Sequence, residues 1–504
     1  MERTDNNESG SFVFFVSEGS NLFRQLSIQS TKLWSHSSFY ATLKQIGLLG
    51  NRLALSWFSR RLRRDEISEE MSSENGREFW YDDEVYGLVK LPSYIRDVTA
   101  VEEFQRLKYL KQLGTSDAKY DGADHSRFEH SLGACYLAGR LLDSLSWTHT
   151  IDDGDRKCVL LAAVLHDVGH GPFSHTWEKF VGAYGERWKH EECSVKLVNR
   201  ILRRATDLSD GEIALVCSLI SGSASDLLTP DRRYLAQIVS ADVDVDRCDY
   251  LQRDSYHVPN IIQPSRPFRE IFERAKIVRV GDESLLAYDL RDYALVYEMA
   301  GARQELHRRC YEDPNVLAGE LMVCDALHEA ERAGFRFSRN GQCERLSKVH
   351  NNLELFMYLN DSIIEELLSS KLPGLEKTKE IITRYRKRNL YQQIMTSPVD
   401  LSEKINRYNQ SQHEAVVRQA FRHIQSTKQW FGDFNVHFYT HNLAGAIVIV
   451  PAANAEEHVF VNGCQREFED EVKEYIIYCT SSDSEVRRAT KHHFMNADKA
   501  TIES

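Results

Sequence analysis

The sequence predicts a mainly α fold, in which a large helical domain precedes a small α+β domain. A chain of 504 residues is long for a single hydrophobic core, which favours a large domain with at least one smaller appendage. Helical apolar spacing recurs from about residue 80 onward, as at His130, Ala134, Leu137 and Leu141. We therefore expect a basic extension over residues 1–75, a helical domain over 76–396 and an α+β domain over 397–504.

The same patterns predict individual elements. A buried helix is predicted at 160–165, and further helical stretches are predicted at 213–220, 234–257 and 294–311. Strand signals are sparse until late in the chain, where they predict strands at 436–439, 446–450 and 458–461. A helical run is predicted to follow at 468–478. The boundary between the two domains is expected near Ser397 and Pro398.

The composition is that of an ordinary soluble globular protein, with 42% hydrophobic and 27% charged residues. The net charge of -12 argues against nucleic acid held by bulk electrostatics, because neutralising phosphates needs clustered Lys and Arg. The ten cysteines are scattered without a CxxC pair, which favours a reducing, intracellular location in the nucleus or cytoplasm. No apolar run reaches the roughly 18 residues that span a bilayer, and the acidic, polar start resembles no secretory signal.

Residues 1–75 differ from the rest of the chain in charge. Up to Arg64 there are nine Lys or Arg residues against four Asp or Glu, a net of +5, which leaves -17 for the remainder. Four of these basic residues form a run between Arg60 and Arg64. Two interpretations stay open: a poorly ordered tail, or a helix over 39–64 that binds a membrane surface or a partner.

The most informative segment is the adjacent pair His166-Asp167 at the end of the apolar helix, followed by His170 and His175. Histidine and aspartate are costly to bury unless something binds them, and a metal would offset that cost. Imidazole together with carboxylate suits Zn, Fe, Mn or Mg. The segment therefore predicts a divalent metal whose identity stays open.

Two further segments supply candidate ligands. Upstream, His130 stands at the head of an apolar helical stripe, so its imidazole would face the core. Downstream, four residues fall near one face of a helix at spacings of three, four and eight: Asp246, Asp249, Tyr250 and Asp254. His130, the His166-Asp167 pair and Asp246 then make a set of two histidines and two carboxylates, which leaves coordination positions for water and substrate.

This order of motifs, a His, then His-Asp, then a distant Asp, resembles the HD superfamily of phosphohydrolases and implies an HD-type helical catalytic core. The segments 104–114, 127–133, 166–175 and 244–254 are similar to the deoxynucleoside triphosphate triphosphohydrolases that contain SAM and HD domains. The similarity covers residues from about 80 to 391, and a weaker similarity continues to about residue 496. The SAM domain of that family is not recognisable in residues 1–75.

The resemblance implies a specific reaction and a homo-oligomer, either dimer or tetramer. A metal-activated water attacks the α-phosphorus of a dNTP, and the products are a deoxynucleoside and intact triphosphate. The metal would be held by His130, His166, Asp167 and Asp246. His190 matches the histidine that protonates the departing 5′-oxygen, and Glu178 stands where the family has an Asp that orients this histidine.

The resemblance also implies which residues of this sequence contact the substrate. Residues matching contacts near the α-phosphate are Arg127, His170 and His175. Arg247 replaces a family Lys that holds the outer phosphates, and Arg303 matches a further triphosphate contact. Residues matching the surroundings of the sugar are Gln112 with its neighbour Leu113, Tyr250, Asp254 and Tyr311. Tyr311 matches the aromatic wall that leaves no room for a 2′-hydroxyl, whose unpaired desolvation would cost about 1–3 kcal/mol.

The segments that match the family's guanine-nucleotide activation site depart from its pattern. Ala100 replaces the Asp that accepts hydrogen bonds from guanine, Lys108 replaces an Arg, and Gln105 is retained. Asp289 replaces an Arg and Pro314 replaces a Lys. Arg291 and Arg388 are candidate phosphate contacts. The sequence thus predicts that the catalytic residues are kept and that guanine-selective activation is lost.

Two other functions compete with this interpretation. An HD phosphohydrolase acting on another phosphoester, such as a nucleoside monophosphate or a cyclic nucleotide, would share the metal ligands. It would not need Gln112, Tyr250, Asp254 and Tyr311 together. A non-catalytic module that binds nucleotide or nucleic acid is supported only by the basic amino-terminal segment, and His190 with the four ligands speaks against it.

Overall fold

The computed structural model describes residues 78–397 without a break, together with six separate strands. Those strands are β1 (Ser11–Glu18), β2 (Leu22–Gln29), β10 (Phe421–Lys428), β11 (Val436–Tyr439), β12 (Ile447–Val450) and β13 (Val472–Cys479). The chain divides into two compact units, residues 1–76 and 77–504. In the first unit β1 and β2 pair as an antiparallel hairpin, which the sequence did not predict. The predicted helix over 39–64 lies outside the described residues.

Helices make up most of the second unit. They are α1 (Ser93–Thr99), α2 (Glu102–Gln105), α3 (Arg127–Ser146), α4 (Asp153–Leu165), α5 (His175–Gly182), α6 (His190–Ala205), α7 (Asp210–Ile220), α8 (Tyr234–Val239), α9 (Val245–His257), α10 (Glu270–Glu273), α11 (Tyr293–Leu306), α12 (Pro314–Arg332), α13 (Leu353–Phe356), α14 (Ile363–Ser369) and α15 (Glu376–Arg386). The predicted mainly α class is therefore confirmed. None of the helices described is long and apolar enough to cross a membrane.

Short strands interrupt the helices. The remaining strands are β3 (Glu78–Asp83), β4 (Gly87–Pro92), β5 (Lys276–Val280), β6 (Glu283–Asp289), β7 (Arg336–Arg339), β8 (Gln342–Arg345) and β9 (Gln392–Ser397). The pairs β3–β4, β5–β6 and β7–β8 are antiparallel hairpins. β11 joins β6 in parallel, which gives a four-stranded sheet of order β12-β11-β6-β5. A second sheet has the order β10-β13-β9.

Most predicted elements within the described residues are present. Helix α4 covers 160–165, α7 covers 213–220, and the stretch 234–257 is two helices, α8 and α9. The stretch 294–311 is α11 followed by one π-helical turn at His307–Tyr311. Strands β11 and β12 confirm two predicted strands, whereas 458–461 lies outside the described residues. The helix predicted at 468–478 is wrong, because β13 pairs there with β10 and β9.

The core of the second unit is centred on α4. Every residue from Cys158 to Leu165 is buried, so this helix is apolar on all sides in its last two turns. Helix α3 packs against both α4 and α9. The carboxyl end of α4 and the amino ends of α3 and α9 therefore meet inside the protein. The predicted boundary near Ser397 and Pro398 lies inside the second unit, in which residues after 397 are described only in strands β10 to β13.

Candidate active site

The four predicted metal ligands lie at the ends of three helices, which are the start of α3, the end of α4 and the start of α9. A capping box between Ser126 and Glu129 starts α3, and His130 follows in its first turn. His166 is the residue that caps the carboxyl end of α4, with Asp167 directly after it. The side chain of Asp244 caps the start of α9 by accepting from a backbone N–H, and Asp246 lies in the first turn.

These ends bring the ligand atoms together. His130 Nε2 lies 3.2 Å from His166 Nε2 and 3.0 Å from Asp246 Oδ1. His166 Nε2 lies 3.4 Å from Asp167 Oδ1 and 3.5 Å from Asp246 Oδ1. Metal ligands at about 2.0–2.2 Å from one ion stand about 3 Å apart from each other. The four side chains therefore fit a divalent metal, and nitrogen with oxygen donors leaves its identity among Zn, Fe, Mn and Mg.

The two imidazoles are held in the orientation that a metal needs. His130 Nδ1 is 2.8 Å from Asp249 Oδ2, and His166 Nδ1 is 2.9 Å from the carbonyl oxygen of Ala163. Both partners accept hydrogen bonds, so both Nδ1 atoms donate and both Nε2 atoms turn toward the shared position. Burial alone would lower the pKa of His130, but hydrogen bonds to Asp246 and Asp249 raise it to about 10. Positive charge is therefore stabilised at this position by the neighbouring carboxylates, and either a proton or a metal can supply it.

A strained turn holds Arg127 against the cluster. Arg127 Nη1 donates to Asp167, while Nε and Nη2 donate to Ser174 Oγ at 3.0 and 2.8 Å. Phe173 and Ser174 have φ values of 54° and 56°, a conformation that non-glycine residues rarely adopt. Asp361 Oδ1 accepts from the backbone N–H of Phe173 at 2.6 Å. Because Ser174 immediately precedes α5, this turn also sets where α5 begins.

Helices α5 and α6 supply a histidine–carboxylate pair beside the cluster. His190 Nδ1, at the start of α6, lies 2.6 Å from Glu178 Oε1 on α5. The expected pairing is therefore present, although Glu178 is one methylene longer than the family residue. Burial would raise the pKa of Glu178, but hydrogen bonds to His175 and His190 outweigh it and lower the pKa. Glu178 is ionised and fixes the Nδ1 proton, which leaves Nε2 to exchange a proton with another molecule.

His170 connects this pair to the metal cluster. Its ring stacks on His190 with centroids 3.8 Å apart, and its Nε2 lies 3.2 Å from Asp167 Oδ1. Burial, then the positive charges of Arg127 and His190, lower the pKa of His170, so the imidazole is neutral. His175 is mostly exposed, with its ring 5.6 Å from those of His170 and His190.

A second hydrogen-bonded group is centred on Asp254. Its Oδ2 accepts from the Tyr311 hydroxyl at 2.6 Å, and its Oδ1 lies 2.8 Å from His125 Nε2. Tyr311 belongs to the π-helical turn after α11, a feature frequent at functional sites. The backbone N–H of Gln112 donates to the carbonyl of His125, and the buried Gln112 Oε1 has no partner among the described residues. An unpaired buried acceptor of this kind fits a ligand hydroxyl.

Other predicted substrate residues border these groups. Leu113 packs against the core. Arg247 Nη1 lies 3.0 Å from Asp242 Oδ1. Burial raises the pKa of Tyr250 well above its usual value, although the positive charge of Arg303 acts against this shift. Arg303 Nε is buried without a hydrogen-bond partner among the residues that the structure describes.

Each of the four residues predicted at an activation site contacts another residue of the chain. These four residues are Gln105, Lys108, Arg291 and Arg388. Gln105 Nε2 donates to the carbonyl of Thr99 at 2.7 Å, and Lys108 Nζ lies 4.6 Å from the centre of the Phe128 ring. Arg291 forks onto Asp289, with Nε to Oδ1 at 3.0 Å and Nη2 to Oδ2 at 2.5 Å. Arg388 pairs with Asp121.

Sequence reasoning missed several residues that the site uses. The sequence predicts Asp249 on the correct helix face but does not predict its contact with His130. Its position three residues after Asp246 is the feature that could have indicated this contact. His125 lies next to a recognised motif and Ser174 lies within one, yet their roles depend on neighbours distant in sequence. Asp361 had no signal, because it accepts from Lys111 and Phe173 backbone N–H groups across about 190 to 250 residues.

Comparisons with known proteins agree with this arrangement. The HD domain family matches residues 127–254. The deoxynucleoside triphosphate triphosphohydrolase SAMHD1 homolog of Dictyostelium discoideum is 34% identical over 319 residues, which cover 61% of this chain and 58% of that protein. The SAMHD1 triphosphohydrolase of Homo sapiens is 30% identical over 340 residues, covering 62% and 54%. That of Gallus gallus is 28% identical over 366 residues, covering 67% and 59%.

The chain thus spans little more than half the length of these relatives. The matched HD domain begins at Arg127 and ends at Asp254, so it encloses all four candidate metal ligands and His190. The predicted resemblance is confirmed: residues 127–254 match the HD domain family, and the chain is similar to deoxynucleoside triphosphate triphosphohydrolases.

Proposed function

We propose that this protein is a metal-dependent hydrolase that converts deoxynucleoside triphosphates into deoxynucleosides and inorganic triphosphate. The observation that carries the proposal is the pairing of His190 with Glu178 beside His130, His166 and Asp167, with Asp246 in contact with both of these histidines. The names of the three relatives given above, each a deoxynucleoside triphosphate triphosphohydrolase or a homolog of one, support the choice of substrate.

The metal would be held by His130, His166, Asp167 and Asp246. When bound, it would supply Lewis acidity toward the attacking water and the α-phosphate. The reaction forms a bond between the water oxygen and the α-phosphorus and breaks the bond from that phosphorus to the 5′-oxygen. His190 donates its Nε2 proton to the departing oxygen, while Glu178 keeps Nδ1 protonated and the ring in place.

Basic residues around the cluster would bind the triphosphate. Arg127 is held rigidly by Asp167 and Ser174, so its charge is preorganised near the reacting phosphorus. His170 and His175 stand beside His190. The outer phosphates would contact Arg247 and Arg303. The Nε atom of Arg303 is buried without a partner among the described residues, so it could donate to a phosphate oxygen.

The group centred on Asp254 would select the sugar. Tyr311 is anchored by its hydrogen bond to Asp254, so its ring cannot move aside for an additional hydroxyl. The unpaired Gln112 Oε1 would accept from the 3′-hydroxyl, with Leu113, Tyr250 and Asp254 completing the contact. A substrate with a 2′-hydroxyl would have to desolvate it without a partner.

We also propose a homo-oligomer, dimer or tetramer, whose response to nucleotides lacks guanine selectivity. Ala100 offers no acceptor for the guanine N–H groups. The guanidinium of Arg291 is engaged by Asp289, which leaves fewer of its N–H groups for a phosphate. Arg388 and Lys108 could still attract a triphosphate, but charge alone does not distinguish one base from another.

The reaction itself is tested by product analysis. We expect purified protein with dCTP and a divalent metal to release deoxycytidine and intact triphosphate, because no bond between phosphates is broken. In H₂¹⁸O the label should enter the triphosphate and not the nucleoside. Chromatography that finds dCMP with pyrophosphate, or dCDP with phosphate, would contradict the proposal and favour another phosphoester substrate.

Ligand substitutions test the metal site. Asp167→Ala and Asp246→Ala should each abolish metal retention and hydrolysis, and the melting temperature should fall because a bound metal stabilises the folded state. Asp167→Ala also leaves the buried Arg127 unpaired, so metal content is the deciding measurement, and Asp246→Ala separates the two effects. Asp143→Ala, at an exposed surface position, is the matched control. Full activity in a metal-free Asp167→Ala protein would refute the site.

Substitution of His190 separates proton transfer from ligation. His190→Ala should keep the metal and bind substrate, while the single-turnover rate falls by about 10²–10⁴. Glu178→Gln should also lower the rate, because the neutral amide no longer stabilises a protonated His190. His149→Ala, which packs on Tyr234 away from the site, serves as the control. Since Asp167, His170 and His190 also have ligand-like spacing, loss of the metal in His190→Ala would make His190 a ligand.

The departures at the activation site generate a separate prediction. Titrating GTP, dGTP and ATP against dCTP hydrolysis should show either no activation or activation with little preference for guanine. Light scattering on the same samples follows the oligomeric state. Sharp activation by GTP and not by ATP, together with tetramer formation, would show that another residue recognises guanine in place of Ala100.

A further inference from the structure

Behind the metal cluster, His130 contacts a carboxylate that is fully buried. Its Nδ1 lies 2.8 Å from Asp249 Oδ2, and the two side chains are 1% and 0% exposed. Asp249 is not among the four candidate ligands, since its oxygen meets the nitrogen on the far side of the ring. Its contact therefore acts on the orientation and tautomer of His130 rather than on the metal directly.

Asp249 is in turn held by Arg253, one turn later on α9. Arg253 Nε lies 2.9 Å from Asp249 Oδ2, and Nη2 lies 3.0 Å from Oδ1. The same Nη2 donates to Asp83 Oδ2 at 2.9 Å, and all three side chains are fully buried. Asp83 ends strand β3, and its Oδ1 accepts from the backbone N–H groups of Val85 and Tyr86. We call these three residues the Asp249–Arg253–Asp83 relay.

When the imidazoles are neutral, as they are when they bind a metal, the charges of the relay and the ligand cluster do not cancel by themselves. The connected network contains four carboxylates and two guanidinium groups, which leaves two negative charges: the buried Asp83, Asp167 and Asp249 and the partly exposed Asp246 against Arg127 and Arg253. Uncompensated charge is costly inside a protein. A divalent cation between the ligands would balance the network.

Helix α3 leaves space for the relay by carrying a glycine. Gly133 lies one turn after His130, and a Cβ atom there would stand 2.0 Å from Asp249 Oδ1 and 2.3 Å from Arg253 Nη2. Neither atom can withdraw without breaking a contact of the relay. Gly139, on the same helix, has room for a Cβ, whose nearest neighbour would be Leu160 Cδ2 at 3.8 Å.

We propose that the Asp249–Arg253–Asp83 relay positions His130 for metal binding, so that retention of the metal depends on the β3–β4 hairpin through Asp83. This inference rests on the metal site of the proposed function. Asp249, Arg253 and Asp83 are positioning residues: they hold His130 through hydrogen bonds without touching metal or substrate.

The test measures release of Zn²⁺ from the full chain to a chromogenic chelator. Asp249→Asn keeps the shape but removes the charge, and Gly133→Ala displaces the relay without changing any charge. Both should release Zn²⁺ about 10- to 100-fold faster than the unaltered protein. Asp83→Asn keeps the oxygen that accepts from Val85 and Tyr86, and should increase release by a smaller factor.

Matched controls are available for two of the variants. Asp82→Asn changes the exposed neighbour of Asp83, and Gly139→Ala changes the glycine of α3 that has space. Both should release Zn²⁺ at the rate of the unaltered protein. The visible spectrum of Co²⁺-loaded protein reports ligand geometry and should change in the relay variants but not in the controls. A loss of stability alone would not alter the spectrum of the folded, metal-bound fraction.

Relay variants that release Zn²⁺ at the unaltered rate and keep the Co²⁺ spectrum would overturn the proposal. If Asp249→Asn does not fold, the comparison of Asp83→Asn with Asp82→Asn decides it. An unaltered protein that binds neither Zn²⁺ nor Co²⁺ would overturn both this inference and the proposed metal site. A protein that holds the metal but hydrolyses no dNTP would overturn only the proposed function.

Discussion

The Nε2 atoms of His130 and His166 lie 3.2 Å apart, and this contact requires positive charge between them. The surrounding structure is arranged around this requirement. His130 and His166 each use the opposite nitrogen to donate a hydrogen bond, to Asp249 and to the carbonyl of Ala163. The facing atoms can stay together only around positive charge. Three helix ends converge to satisfy this condition, because the end of α4 and the starts of α3 and α9 carry the four candidate ligands. The apolar burial of α4 fixes its end deep in the protein.

The sequence predicted the centre of this arrangement because its residues break a local rule. A His-Asp pair directly after the apolar last turns of a helix is costly without a ligand, so it could be recognised before any neighbour was known. The roles of His125, Ser174 and Asp361 could not be predicted, because each depends on a partner brought near only by folding. The helix predicted at 468–478 was wrong for a related reason. A short run rich in Val, Ile and Tyr suits either helix or strand, and pairing with β10 and β9 decides between them.

The pairing of Glu178 with His190 depends on where helix α5 begins. A glutamate in place of an aspartate moves the carboxylate outward by one methylene, which would displace a rigidly mounted partner. Here the strained turn at Phe173 and Ser174 sets the start of α5, and the resulting position brings Glu178 Oε1 to 2.6 Å from His190 Nδ1. The same turn holds Arg127, so the proposed phosphate-binding charge and the orientation of the proposed proton donor depend on one piece of backbone.

The ion pairs at the candidate active site and those made by the arginines of the predicted activation site differ in burial. Removing one partner of a buried pair leaves an uncompensated charge and costs about 3–5 kcal/mol, so substitutions at Asp167, Asp249 or Arg253 would threaten folding as well as metal binding. The pairs made by Arg291 and Arg388 are largely solvent-exposed on the arginine side, and exposed pairs contribute little to stability. Arg291 and Arg388 could therefore be replaced at little cost to the fold, whereas substitutions in the buried ion pairs of the candidate active site would affect stability and chemistry together.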